Sequence, residues 1–125
     1  METDNLQKLM DDIAEWSDKQ FGQGQRNPAI VYHLVKEVPE LIEAIKTYQE
    51  GNTIKTPYKE ANSLLRSVWG EYADCLMLLL DSASHFGLTS ERLLHVTRLK
   101  LEVNKKRKWG TPDENGVVEH IESPE

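Results

Sequence analysis

Two pairs of acidic residues, each with three-residue spacing, lie inside strongly apolar stretches of the chain. The first pair is Glu37 and Glu40, and the second is Glu71 and Asp74. On a helix, residues three positions apart project from neighbouring turns of one face. A carboxylate in apolar surroundings is costly unless another group compensates its charge. The simplest fold that satisfies this constraint brings the two pairs together around metal ions.

Apolar residues recur at helical spacing in four segments, which predicts an all-α fold. The dipeptides Asn27-Pro28 and Thr56-Pro57 each resemble a helix start, with a capping side chain followed by proline at the first helical position. We expect the four segments to pack as an antiparallel bundle. The predicted helices begin at Thr3 or Asp4, Pro28, Pro57, and Thr89 or Ser90, and they end near Gly22, Gly51, Phe86 and Trp109.

The third segment is apolar on nearly every side between residues 75 and 80. This pattern predicts a central, buried helix. The second acidic pair projects from the side that faces away from the main apolar stripe, so it is unlike an ordinary surface pair. The main stripe consists of Leu65, Val68, Trp69, Tyr72, Leu76, Leu79, Leu80 and Ala83.

Composition restricts the class of protein. A length of 125 residues is typical of one domain, and the formal net charge of -6 argues against general binding to nucleic acid or to an anionic membrane. The single cysteine, Cys75, excludes an intrachain disulfide and fits a reducing cytoplasm. The longest apolar run, residues 75–80, is too short to span a membrane. We therefore expect a cytoplasmic protein.

The last predicted helix changes character along its length. Its inward stripe begins with Leu93 and Val96 and continues as Lys100, Asn104 and Arg107. A stripe that turns from apolar to polar and basic is typical of a helix that leaves the core to line a cleft.

In the first predicted helix, an aromatic side chain and an amide that share a helical stripe are candidates for contact with a nucleobase. These two are Trp16 and Gln20.

The acidic and basic groups together indicate a reaction. Two carboxylates ~4 Å apart repel by roughly 4 kcal/mol at an effective dielectric near 20, so four of them need cations or protons. A site made only of oxygen ligands favours Mg²⁺, Mn²⁺ or Ca²⁺. Such a site suits the attack of water on a phosphate, and Lys100 and Arg107 would hold the phosphate oxygens.

The two acidic pairs, in this order, resemble the paired signature of the MazG-like all-α nucleoside triphosphate pyrophosphohydrolases. The ending Lys100-x-x-x-Asn104-x-x-Arg107-x-Trp109 is similar to a third motif of that group. The similarity runs from about His33 to Trp109 and is closest to the small dATP/dGTP diphosphohydrolase branch. That branch occurs in bacteria and phages and includes the phage MazZ-type enzymes.

The turn residues and the short apolar run after Gly110 predict that residues 111–125 form a tail or docking arm. The resemblance implies a MazG-like helix bundle over residues 1–110, completed by a homodimer or homotetramer. It also implies two or three Mg²⁺ or Mn²⁺ ions per site and the conversion of NTP and water to NMP and pyrophosphate, with the purine substrates dGTP and dATP favoured. The expected metal-binding and catalytic residues are Glu37, Glu40, Glu71 and Asp74. The expected substrate-binding residues are Lys100, Asn104, Arg107, Trp16, Gln20 and Trp109.

Two other classes of protein fit parts of the pattern. A di-iron carboxylate bundle uses Glu-x-x-His pairs, whereas the second pair here is Glu71-x-x-Asp74. A non-catalytic helical interaction protein could neutralise its acidic pairs with cations from a partner. Stoichiometric iron would favour the first alternative, and the absence of any nucleotide hydrolysis would favour the second.

Overall fold

The computed structural model describes residues 5–121. Within this range the regular secondary structure consists of four α-helices and one isolated β-bridge. This confirms the predicted all-α class with about four helices. The predicted first-helix start at Thr3 or Asp4 lies outside the described residues. The helices are α1, Asn5–Phe21; α2, Ala29–Gly51; α3, Tyr58–His85; and α4, Ser90–Lys106.

The chain divides into two compact units, one up to Ser90 and the other from Glu91 onward. In the first unit, α3 packs against both α1 and α2. Asn27, just before α2, donates from Nδ2 to the carbonyl oxygen of Ser82 near the end of α3. At the other end of this helix pair, Gly51 at the end of α2 lies close to Leu64 in the first half of α3. A Cβ atom added to Gly51 would be 2.9 Å from Leu64 Cδ1. The two helices therefore run antiparallel.

Helix α1 packs against α3 and is tied by hydrogen bonds near the end of α3 and just after it. Ser17, late in α1, donates a 2.9 Å hydrogen bond from Oγ to Oδ1 of Asp81. Gln7, early in α1, accepts a 2.7 Å hydrogen bond from the backbone N–H of Ser90, which follows α3. The buried apolar side chains of this unit come from all three helices, so the core lies where α3 meets the other two. They are Met10, Ile13, Ile30, Val68 and Leu80.

The predicted burial of the main apolar stripe of α3 is confirmed in part. Val68 and Leu80 are buried, whereas Trp69 is 59% exposed and Tyr72, Leu76 and Leu79 are about half exposed. The reason is that α1 and α2 leave these four side chains uncovered. Within the described residues, the four form an exposed apolar surface on an otherwise packed helix.

Both predicted capping arrangements also differ from the structure. Helices α2 and α3 begin one residue after their prolines, and neither has a side-chain cap. The Asn27 side chain hydrogen bonds instead to Gln25 and Ser82. The Thr56 hydroxyl donates to the carbonyl oxygen of Gly51, the last residue of α2. These polar side chains therefore tie loops to neighbouring helices.

In the second unit, the chain turns back on itself after α4. Trp109 and His120 form the antiparallel bridge, and the N–H of Ile121 donates to the carbonyl oxygen of Lys108 at 2.7 Å. The turn is stabilised by Asp113, whose Oδ1 accepts from the backbone N–H groups of residues 115 and 117. The described part of the predicted tail, residues 111–121, is thus folded. Its functional separation from residues 1–110 stays a prediction.

None of the helices among residues 5–121 has the length and the apolar character that crossing a membrane requires.

Candidate metal and nucleotide site

Three of the four predicted ligands lie together. Single carboxylate oxygens of Glu37, Glu71 and Asp74 all lie within 4.8 Å of one another. Glu37 comes from α2 and the other two from α3, so the antiparallel packing of these helices creates the cluster. Glu37 and Glu71 are half-buried, whereas Asp74 is exposed. One face of the cluster is therefore open to a ligand.

Glu71 is the most constrained of the three. Burial raises the pKa of its carboxyl group, and the nearby charges of Glu40, Asp74 and Glu37 raise that pKa further. Its Oε1 atom is buried and has no hydrogen-bond partner. An unpaired buried acceptor surrounded by like charge is costly. A cation would relieve both the missing contact and the repulsion.

Glu40, the fourth predicted ligand, does not belong to the three-residue cluster. It is exposed and lines a surface cavity of about 330 Å³ together with Glu43, Ser67 and Glu71. Glu71 borders both this cavity and the cluster, so Glu40 is next to the cluster without being part of it. Glu43, which the sequence assigns to the solvent face, borders the same surface cavity.

A second cavity, of about 230 Å³, also adjoins the cluster. Its lining includes Glu37 and Asp74 at the acidic end, and Trp16 and Phe21 among its apolar walls. The rings of Trp16 and Phe21 meet edge to face with centroids 5.5 Å apart. This cavity, called the main cavity below, therefore has carboxylates and aromatic surfaces together. The predicted partner of Trp16, Gln20, is exposed and is not among the lining residues.

A polar network that the sequence analysis missed borders the main cavity at Asp81. Arg26 donates from Nη2 to Ser17 Oγ at 2.8 Å and to Asp18 Oδ1 at 3.2 Å. His85 lies between the two aspartates, with Nε2 2.7 Å from Asp18 Oδ1 and Nδ1 3.0 Å from Asp81 Oδ1. The four-residue spacing of Asp81 and His85 in the helical pattern was the available signal.

The predicted phosphate-binding residues lie in the second unit. Lys100 is exposed on α4. Arg107 donates from Nη1 to Asn104 Oδ1 at 3.3 Å, and the Trp109 indole N–H donates to the main-chain carbonyl oxygen of Asn104 at 3.0 Å. Arg107 Nε is buried without a hydrogen-bond partner. Three of the four predicted residues thus form one connected group, and their role in substrate binding stays a prediction.

Comparison with known proteins identifies the class. Residues 67–125 match the family model described as dATP/dGTP pyrophosphohydrolase. Over these residues the chain is similar to a family of nucleotide pyrophosphohydrolases, in an all-helical structure. This confirms the predicted resemblance and the predicted enzyme class. The match includes Glu71, Asp74 and the Lys100-to-Trp109 motif, and it begins after Glu37 and Glu40.

No curated protein and no solved structure matches the chain.

Proposed function

We propose that the protein is a metal-dependent pyrophosphohydrolase of purine deoxynucleoside triphosphates, which converts dGTP or dATP and water to the monophosphate and pyrophosphate. The observation that carries this proposal is the convergence of Glu37, Glu71 and Asp74 within 4.8 Å beside an aromatic-lined cavity. The family match supports the reaction class. The metal and the purine preference are our inference.

The cluster fits a hard divalent cation. All of its ligands are carboxylate oxygens, the donor type that suits Mg²⁺ and Mn²⁺. The buried, unpartnered Oε1 of Glu71 supports the same fit, because such an atom gains a partner when a cation binds. Glu37, Glu71 and Asp74 would hold the first ion, and Glu40, which is near Glu71, would contribute to a further ion.

When bound, the ion would neutralise the carboxylates and polarise the triphosphate towards attack by water. The protein's own groups would then orient the reactants. The exposed carboxylate of Asp74 faces the main cavity, where it can accept a hydrogen bond from the attacking water. Lys100 and Arg107 would hold phosphate oxygens and stabilise charge that develops on the leaving pyrophosphate.

The main cavity suits a nucleobase. Its walls include Ile13, Trp16, Phe21 and Met77, which offer apolar and aromatic surfaces. A purine gains favourable contacts on such surfaces because it has a flat π-face. The acidic end would then take the phosphates through metal ions, and the aromatic end would take the base.

We further propose that the protein functions as a homodimer or homotetramer. The support is the exposed stripe on α3, of which Trp69, Tyr72, Leu76 and Leu79 are each about half exposed. Residues at three- and four-residue spacing on one helix form a seam that a second helix can cover. A second copy of the same chain offers a matching seam, so the interface would be isologous.

The decisive experiment is hydrolysis of a panel of the common NTPs and dNTPs by the pure protein with Mg²⁺ or Mn²⁺. We expect the monophosphate and pyrophosphate from purine dNTPs, and no turnover after chelation. If every nucleotide stays intact with both metals, the proposal fails. Release of inorganic phosphate instead of pyrophosphate would indicate a different hydrolase.

A further inference from the structure

The end of the main cavity opposite the carboxylate cluster carries a charged pair that the proposed reaction does not use. Arg26 and Asp81 both line an adjoining cavity of about 290 Å³, which shares Phe21, His33 and Leu78 with the main cavity. Because Asp81 borders both cavities, a ligand that fills the main cavity and extends into the adjoining cavity would reach both members of the pair. The pair therefore lies where a base would end.

The spacing along α3 agrees with the length of a nucleotide. Asp74, at the acidic end of the main cavity, and Asp81 are seven residues apart on one helical face. At 1.5 Å per residue they are separated by roughly 10 Å along the helix axis. A nucleotide whose phosphates lie beside Asp74 would therefore bring its base close to Asp81.

Asp81 has one carboxylate oxygen that is already engaged and one that can still accept. Oδ1 accepts a 2.9 Å hydrogen bond from Ser17 Oγ and lies 3.0 Å from Nδ1 of His85. Oδ2 lies 3.8 Å from Arg26 Nη2, beyond hydrogen-bond length. An ionised carboxylate offers only acceptors. Oδ2 is thus suited to a ligand's N–H groups.

Arg26 supplies the complementary donors. Its Nη2 is held by Ser17 and Asp18, and its guanidinium carbon lies 5.9 Å from the centroid of the Phe21 ring. These contacts fix the side chain. Its Nε is buried and has no hydrogen-bond partner. A guanidinium offers only donors, so this group is suited to a ligand's acceptor.

Guanine and adenine present opposite patterns at the edge that the pair would meet. Guanine has the O6 acceptor beside the N1–H and N2–H₂ donors, whereas adenine has the N6–H₂ donor beside the N1 acceptor. We infer that Arg26 binds O6 and Asp81 binds the N1–H and N2–H₂ groups, so that this pair selects guanine over adenine. The inference rests on the proposed function, since it assigns the base end of the same site.

The opposite pairing explains the expected discrimination. With adenine, the N6 donors would face Arg26 and the N1 acceptor would face Asp81. Each of these two mismatches would leave buried polar groups unpaired, and an unpaired buried group costs more free energy than the loss of a favourable contact. A site built to bond one polar pattern rejects the reversed pattern strongly.

A substrate series on the unmodified protein tests this inference. Initial rates with Mg²⁺ would give kcat/KM for dGTP, dATP and dITP, of which dITP lacks only the 2-amino group of dGTP. We expect kcat/KM for dGTP to be about tenfold higher than for dITP, because one bond to a charged group is lost in dITP. We expect it to be about a hundredfold higher than for dATP, because several such bonds are lost. Equal values for dGTP and dATP would overturn the inference and leave the proposed hydrolase intact.

A binding measurement separates the two hypotheses when no nucleotide is hydrolysed. Calorimetric titration with dGMP and with dAMP reports base recognition without turnover. Tighter binding of dGMP by about tenfold or more would support the inference even if the proposed reaction fails. Equal affinity, or no binding of either monophosphate, would overturn it.

A pair of variants separates base recognition from support of the fold. Asp81→Asn replaces an acceptor with a donor, so we expect the dGTP-to-dITP ratio of kcat/KM to fall towards one. His85→Gln disturbs the same network but changes neither group that faces the base, so it should scale both rates equally. An unchanged ratio in folded Asp81→Asn protein would refute the assignment. If that variant does not fold, the substrate series decides.

Discussion

His85 Nε2 lies 2.7 Å from Asp18 Oδ1, which joins the end of α3 to the end of α1. On the other side of the ring, Nδ1 lies 2.8 Å from the main-chain carbonyl oxygen of Asp81. Both ring nitrogens thus face acceptors, and Arg26 Nη2 also lies 3.2 Å from Nε2. The His85 side chain is only 8% exposed. The first helical unit is thus joined by a buried histidine that contacts two aspartates and Arg26.

This arrangement gives the stability of the protein a defined pH dependence. Burial alone would lower the pKa of His85, but hydrogen bonds to Asp18 and to the Asp81 carbonyl outweigh it and raise that pKa above 6.5. The hydrogen bond from His85 lowers the pKa of Asp18 below 3.8. The His85 contribution is therefore complete below pH 6.5 and is lost as pH rises through its folded-state pKa. The Asp18 contribution is complete above pH 3.8 and is lost on acidification.

We expect the free energy of unfolding to be highest between these two values and to fall above pH 6.5. Denaturant titrations from pH 4 to pH 9 measure it. His85→Gln should cost about 2 kcal/mol at pH 6 and should remove most of the decline on the alkaline side. His95→Gln, at an exposed position in α4, is the control and should keep the wild-type profile. A decline that persists in His85→Gln would assign the titration to another group.

Replacing Glu71 by glutamine should separate activity from stability. Its carboxylate is half-buried, carries an unpartnered oxygen and is repelled by Glu37, Glu40 and Asp74. Without metal, Glu71→Gln should therefore raise the melting temperature. It should also lower kcat by on the order of a hundredfold or more, because a ligand of the ion is lost.

Calorimetry in the presence and absence of Mg²⁺ measures both effects on stability. Wild-type protein should gain stability when the ion binds, and Glu71→Gln should gain little. Glu60→Gln, at an exposed position in the first turn of the same helix, is the matched control and should behave as wild type. A Glu71→Gln protein that is both less stable without metal and fully active would contradict the proposed site.

The sequence could predict the acidic cluster but not the network at Asp81. Glu71 and Asp74 stand out because they interrupt an apolar pattern at helical spacing, and the antiparallel packing of α2 and α3 then brings Glu37 to them. The network depends on Arg26, which lies in a loop with a backbone φ of +52°. Loop conformation sets where that side chain points, and helical periodicity carries no information about it.

The apolar stripe on α3 shows a different limit of prediction from the sequence. Its apolar spacing predicts that Trp69 and Leu79 are covered, but it cannot tell whether the cover is part of the same chain. The structure leaves both about half exposed. The prediction of burial was wrong for these two residues because apolar spacing does not show which helices pack on which part of α3.

Introducing a charge into that stripe should disrupt the proposed oligomer. Leu76→Glu places a carboxylate at the centre of an apolar seam, where it has no partner and loses hydration on association. Light scattering after size exclusion should show a dimer or tetramer for wild type and a monomer for the variant. Ile54→Glu is the control, because Ile54 is fully exposed in the loop between α2 and α3, away from the stripe. A wild-type monomer would refute the proposed assembly.

The last prediction concerns the basic groups of α4. Lys100 shares a face of α4 with Asn104, whereas Lys106 is one of the cations at the C-terminal end of α4. If Lys100 holds a phosphate, Lys100→Gln should raise KM for the triphosphate by about tenfold, because one bond between charged groups is lost. Lys106→Gln removes the same charge and should change KM less than twofold. Equal effects of the two variants, both abolished by moderate salt, would show that only the overall charge of α4 matters.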